Sequence, residues 1–109
     1  MGDPRGTLSR RDLVLTGIAW QISYHPDVKA VDLPRIDRRN REMIKKAIEE
    51  RLLTQPALYG AKLQRTLRDY WKLRVGSYRV VFTMAGTHIK VLGIIHRKDV
   101  YRAIEKRLE

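Results

Sequence analysis

Cysteine is absent from the 109 residues. Without it there is no disulfide framework, no thiolate nucleophile, no cysteine-based zinc site and no iron–sulfur cluster. No apolar run approaches the roughly 18 residues that a membrane-spanning helix needs. The N-terminus shows neither an apolar h-region nor a small-residue cleavage site, so a secretory signal is not expected. Negative charge is scarce: 12 Asp plus Glu stand against 23 Lys plus Arg, a formal charge of +11. A chain this short buries roughly two-thirds of the surface its unfolded form exposes. That suffices for one small core, and not for a multi-domain enzyme or a dinucleotide cleft with a second domain. The expectation is a small cytoplasmic domain, without membrane attachment, whose partner is anionic.

What is present is unevenly spread. Residues 1–59 carry 11 basic and 8 acidic side chains, whereas residues 60–109 carry 12 and 4. Partner-facing chemistry is therefore expected in the second half. There is no internal repeat and no low-complexity stretch. Residues 1–17 have weak periodicity and read as a leader, mobile or folded into an appended helical turn, ahead of a single domain over 18–109.

Along that domain, Ile18, Trp20, Ile22 and Tyr24 alternate with polar or small residues as a half-buried strand does. Pro26 suits the start of a helical turn containing Val28, Val31 and Leu33, and Pro34 breaks or bends it. Asp37 can cap a helix on which Met43, Ile44, Ala47, Ile48 and Leu52 make one apolar stripe. The charged residues opposite that stripe, Arg38 to Glu50, read as a solvated face. Pro56 and Gly60 close the helical region. Three strands follow, Tyr70 to Val75, Tyr78 to Met84 and His88 to His96, and Asp99 can cap a last helix with Val100, Ala103, Ile104 and Leu108. The order is that of an α+β domain: an N-terminal strand, a helical hairpin packed on one face of an antiparallel sheet, a three-strand meander and a C-terminal helix.

Two-residue turns at Gly76-Ser77 and Ala85-Gly86 would place Arg74 opposite Arg79, Val81 opposite Lys90 and Thr83 opposite His88. One face then carries Trp71, Leu73, Val75, Tyr78, Val80, Phe82, Met84, Ile89, Val91 and Ile95. The other carries Lys72, Arg74, Arg79, Lys90 and His96, interrupted by Val81, Leu92 and Ile94, which need a cover from a partner peptide or the C-terminal helix. Paired arginines repel across a sheet, so a bound anion is the economical explanation, and a polyphosphate backbone fits it. Tyr70 and Tyr101 beside these cations suit single-stranded RNA, whose bases stack while its phosphates pair. The plainer alternatives are solvent-side strand cations at Lys72 and Lys90, a strand-end histidine bonded to backbone at His96, and an aromatic packed on the sheet at Tyr101. His25 and His88 lie apart, and neither a metal nor a cofactor is expected.

The run Tyr70-Trp71-Lys72-Leu73-Arg74-Val75-Gly76-Ser77-Tyr78-Arg79-Val80-Val81-Phe82, followed by Ile95-His96-Arg97-Lys98-Asp99-Val100-Tyr101-Arg102, resembles the RelE/ParE superfamily of toxin–antitoxin toxins, and within it the RelE branch. Tyr24-His25-Pro26 and the helix end Glu49-Glu50-Arg51-Leu52 fit the same pattern, so the resemblance runs from about Ile18 to Arg107. It implies a ribosome-dependent endoribonuclease that cuts mRNA by attack of a ribose 2′-hydroxyl on the adjacent phosphate. By the same resemblance, Arg79 would stabilise the transition-state phosphate and Lys72 would act as general base or electrostatic stabiliser. Arg97 would act as acid or charge clamp, Tyr101 would orient the nucleotide or aid proton transfer, and His96 would share the acid–base role. Tyr70, Arg74, Lys90 and Lys98 would contact RNA. Tyr70 stands where the family carries a second lysine, and it stacks better than it titrates.

A cognate antitoxin is implied as well, acidic where it meets the basic face, and binding of operator DNA by the toxin–antitoxin complex. Two other readings stay open on the same residues: a ParE-like inhibitor of DNA gyrase, and a module that binds nucleic acid or antitoxin without catalysis.

Overall fold

The computed structural model describes residues 20–109. Ile18, Ala19 and the leader assigned to residues 1–17 lie outside the described residues. Strand β1, Gln21–Tyr24, leads into a π-helical turn, Val28–Asp32, and a 3-10 turn, Leu33–Arg35. Helix α1, Arg38–Ala47, starts where Asp37 Oδ1 accepts the Asn40 N–H at 3.0 Å. This satisfies one of the orphan donors of a first turn. The helix continues into a π-helical turn, Ile48–Leu52, and a short α2, Pro56–Tyr59. Strand β2, Ala61–Lys62, follows, then β3, Trp71–Val75; β4, Tyr78–Ala85; β5, His88–His96; and helix α3, Val100–Arg107.

The five strands are ordered β1-β5-β4-β3-β2. All neighbours are antiparallel except β1 and β5, which run parallel. The helical region carries the chain to the opposite edge, where β2 runs opposite to β1, and three antiparallel steps from β2 to β5 then bring β5 alongside β1 in parallel. The β2–β3 pairing escaped sequence reading, since two residues are too few to show alternation.

The Gly76-Ser77 turn sets Arg74 opposite Arg79 and Val75 opposite Tyr78, as expected. The next turn is Gly86-Thr87 rather than Ala85-Gly86, so Ala85 faces His88, Thr83 faces Lys90 and Phe82 faces Val91. The cause is backbone chemistry. Gly76 and Gly86 have φ of 60° and 61°, and a II′ turn takes its positive-φ glycine at the first central position. A bulge between Val81 and Phe82 then pairs Val81 with Gly93 and leaves Leu92 extra. One added residue inverts every later side chain. Ile94 therefore joins the face of the helical hairpin, Ile95 joins the other, and His96 lies opposite Tyr78. The expectation had these three reversed.

Both faces of the sheet are consequently apolar and covered. Val28, Ile44, Ala47, Ile48 and Leu52 pack on Leu73, Val80, Phe82, Ile89, Val91 and Ile94. Met43, expected in that stripe, is 43% exposed over the first meander turn. On the opposite face Val100 and Ile104 of α3 close over Val81, Leu92 and Ile95, with Leu63 and Leu67 from the β2–β3 connection. The C-terminal helix thus supplies the cover that this face required. Fully burying a residue such as Leu52, Phe82 or Ile104 contributes on the order of 1.5–3 kcal/mol, so α3 is an integral layer of the fold.

Candidate nucleic-acid interface

The cover is incomplete at one end of the α3 face. There β3 and β4 present Lys72 and Arg79, and the chain leaving β5 brings Arg97, Lys98, Val100 and Tyr101 over them, lining an open cleft of about 450 Å³. The strand ladder and the turn after β5 set three of these positions, Lys72, Arg79 and Arg97. Lys72 pairs with Val81 across the ladder and so shares its face with Arg79. The bulge seats Ile95 beside Arg79. Arg97, just beyond β5, donates its backbone N–H to Ser77 O at 2.8 Å, which pins the turn over the end of the hairpin.

Arg79 is 8% exposed. Its Nη1 donates to Gly76 O at 3.0 Å and to Tyr78 O at 2.8 Å, so one edge of the guanidinium is anchored to the hairpin turn. Burial pushes its pKa below the usual arginine value, and the neighbouring charges of Arg74 and Arg97 push it the same way. The Tyr101 hydroxyl accepts the Gln64 N–H at 3.1 Å. That contact fixes the oxygen in place and leaves its own proton free to donate.

Among the described residues no carboxylate lines the cleft. Four cations share it with one phenol, an arrangement that repels itself when empty and suits a phosphodiester with developing negative charge. Among the described residues no group of three His, Asp or Glu side chains is placed to hold a metal ion.

The cleft gathers Lys72, Arg79, Arg97 and Tyr101 of the expected catalytic set, and Lys98 of the expected RNA contacts. The others stand apart. His96, on the far face after the bulge, lies edge-to-face against Tyr78 with ring centroids 5.6 Å apart. Tyr70 packs against the Leu63 and Leu67 cluster instead of standing free to stack. Arg74 is solvent-exposed opposite Arg79 and lies outside the cleft lining. Lys90 pairs with Ser23 and Thr83 toward the other end of β5. Asp99, expected to cap α3, instead accepts from Arg102 Nη2 at 2.6 Å. Sequence reading missed the anchoring carbonyls of Gly76 and Tyr78 and the role of Gln64. The carbonyls are backbone atoms without a residue signature, and Gln64 is 37 positions from Tyr101.

Solved structures share this architecture. The toxin–antitoxin complex RelBE2 of Mycobacterium tuberculosis is 21% identical, with a TM-score of 0.67 over 73% of this chain and 100% of that one. A chain of the RelB–RelE antitoxin–toxin complex from Methanococcus jannaschii is 26% identical, with a TM-score of 0.57 over 73% and 95%. A chain of the YoeB–YefM complex from Staphylococcus aureus is 23% identical, with a TM-score of 0.50 over 71% and 95%. No curated protein sequence matches the chain. The family model described as the ParE toxin of type II toxin–antitoxin systems matches residues 22–101, well over half of the chain and every residue of the cleft. The chain belongs to that family, and is a type II toxin of the RelE/ParE superfamily.

Proposed function

We propose that this toxin is an endoribonuclease that cuts mRNA on the ribosome and so stops translation. The observation that carries the reading is the cleft itself: Lys72, Arg79, Arg97 and Lys98 converge with Tyr101 on one face, and no carboxylate among the described residues offsets them. Cleavage through the ribose 2′-hydroxyl requires removal of its proton, stabilisation of a crowded phosphorane and protonation of the leaving 5′-oxygen. Arg79, held by two carbonyls, points fixed positive charge at the phosphorane, and Arg97 clamps it from the other side. Lys72 is the candidate for proton removal or charge stabilisation. Tyr101 orients the nucleotide and supplies a donor to the leaving oxygen, and Lys98 holds a flanking phosphate.

The partner is a cognate antitoxin. An apolar groove of about 970 Å³ on the hairpin face has Ile22, Val28, Ile44 and Ile48 in its lining, and its charged residues are Lys29, Arg41 and Lys45 against Glu49. It fits an amphipathic segment with acidic flanks. Binding of operator DNA belongs to the toxin–antitoxin complex, and the site of action is cytoplasmic.

The test is a reconstituted translation reaction with wild type beside Arg79→Ala, mapping mRNA ends by primer extension. Cuts at the decoding site that need both ribosomes and Arg79 support the reading; intact mRNA with normal translation ends it. A second reading, inhibition of DNA gyrase, is favoured by the ParE family match. It predicts loss of supercoiling activity in a purified gyrase assay while mRNA stays intact.

A further inference from the structure

A second cavity, of about 410 Å³, lies on the other side of the β5–α3 connection. Tyr78 and His96 contribute an edge-to-face aromatic pair, and Arg35, Arg102, Lys106 and Arg107 bring positive charge to its walls. Its two carboxylates are already engaged, Asp32 by Arg107 and Asp99 by Arg102. Arg35 and Lys106 form no ion pair with a described residue, and both are exposed. The surplus charge of the cavity therefore rests on these two side chains. The Lys98 N–H donates to His96 Nδ1 at 3.3 Å, which leaves Nε2 as the ring's available donor.

A ring beside unpaired cations, in a space of this volume, matches one nucleotide: a base on the His96 ring, which Tyr78 backs from the hairpin-face core, and a phosphate at the rim. The connection His96–Asp99 lines both cavities, with Arg97 and Lys98 in the first and His96 and Asp99 in the second. We propose that the Tyr78–His96 cavity is a second RNA subsite, taking a nucleotide that flanks the one in the Lys72–Arg79 cleft. This rests on the RNA-cleaving reading and extends it.

The test separates the two. Adenosine 5′-monophosphate titrated into the protein is followed by the His96 ring signals in NMR. A 2′-deoxy oligonucleotide, which lacks the attacking hydroxyl, is titrated by fluorescence anisotropy at several salt concentrations. The expected results are a shift of the His96 ring signals that persists in Arg79→Ala, and oligonucleotide affinity weakened about tenfold in Arg35→Ala/Lys106→Ala. The salt slope should also fall by about 0.7, for the one phosphate that the two side chains hold. Unchanged affinity and slope in the double variant, or His96 signals that respond to an acidic peptide and not to the nucleotide, overturn the proposal. Both substituted residues are exposed, so a circular dichroism melt confirms the fold. If mRNA stays intact in translation while these shifts appear, the nuclease reading fails and the subsite stands. If cleavage proceeds normally without them, only the subsite fails.

Discussion

Arg79 sits where its charge is unfavourable. It is buried, it faces Arg74 across the ladder, and both Arg74 and Arg97 disfavour its protonated form. A side chain placed at the expense of folding is a mark of function. Arg79→Met removes that repulsion together with two hydrogen bonds to the Gly76 and Tyr78 carbonyls, so the two effects should offset and the urea midpoint should move by about 1 kcal/mol or less, with an unchanged slope. The same variant should lower mRNA cleavage by about a hundredfold or more, as loss of one preorganised charge donor does. A stability loss together with full activity would remove Arg79 from the site. Tyr101→Phe tests a different contact. It takes away the acceptor of the Gln64 N–H, so it should cost roughly 1 kcal/mol of stability and also reduce cleavage. Lys72→Met should abolish or sharply reduce cleavage with little change in melting temperature, because Lys72 donates no hydrogen bond and forms no ion pair to a described residue. Cleavage unchanged in that variant would end its assignment.

At the scale of elements, the open edge of β5 is the revealing feature. Strand β1 accompanies β5 only as far as Val91. Beyond it the Ile94 N–H donates to Asp32 Oδ2 at 2.9 Å, and Leu92 O accepts from Arg107 Nη1 at 2.9 Å. Asp32 and Arg107 meet in a two-pronged ion pair, at 2.8 and 2.9 Å, with Asp27 3.4 Å from Arg107 Nε. One buried pair thus closes a sheet edge and ties α3 to the helical turn after β1. A Cβ at Gly93 would lie 2.9 Å from Arg107 Nη1 and 3.0 Å from Ile104 Cδ1, so a larger residue there would push the ends of both side chains aside. Asp32→Asn should cost about 3 kcal/mol, because it leaves the buried Arg107 with only the half-exposed Asp27 as counter-charge, and Asp32→Leu with Arg107→Met should recover most of the loss. Hydrogen bonding to Asp32 raises the Arg107 pKa above its usual value, against burial, with the charges of Asp32 and Asp27 adding to the rise. A base with a raised pKa stabilises the fold below its unfolded value, and the gain is lost only as pH climbs through the folded one. The Asp32→Asn loss should therefore be the same at about pH 7 and about pH 9. A loss that shrinks between those values in denaturant melts would show that Arg107 is not the cation responsible.

At the scale of the molecule, a formal charge of +11 sets how the protein meets its target. Nucleic-acid binding should be strongly salt-dependent, with a slope near 0.7 per phosphate contacted on a single strand. Removing Lys98 should lower that slope by about one contact, while removing Lys90, at the other end of β5, should leave it unchanged. Anisotropy titrations across a salt series decide this. An equal effect from both residues would mean that binding is spread over the surface and not focused on the cleft.

Alternation and turn chemistry were enough to specify the α+β class, the first hairpin with Arg74 against Arg79, the Asp37 cap and the cationic face bearing Lys72 and Arg79. These are local properties: period-two side-chain direction, glycine at a II′ turn, an acceptor three residues before a free N–H. The family resemblance, carried by Leu73 to Arg79 and His96 to Tyr101, is the source of the proposed roles, which local rules do not supply. What only the tertiary structure decided depends on groups far apart in the chain. The bulge at Val81 and Phe82 has no composition signal, yet it moves Ile94, Ile95 and His96 to opposite faces and so takes His96 out of the cleft. Asp32 and Arg107, 75 positions apart, are two ordinary charged residues until the chain closes an unpaired strand edge between them. Sequence reading sees which residues share a strand face; only packing shows which faces are covered, and by what.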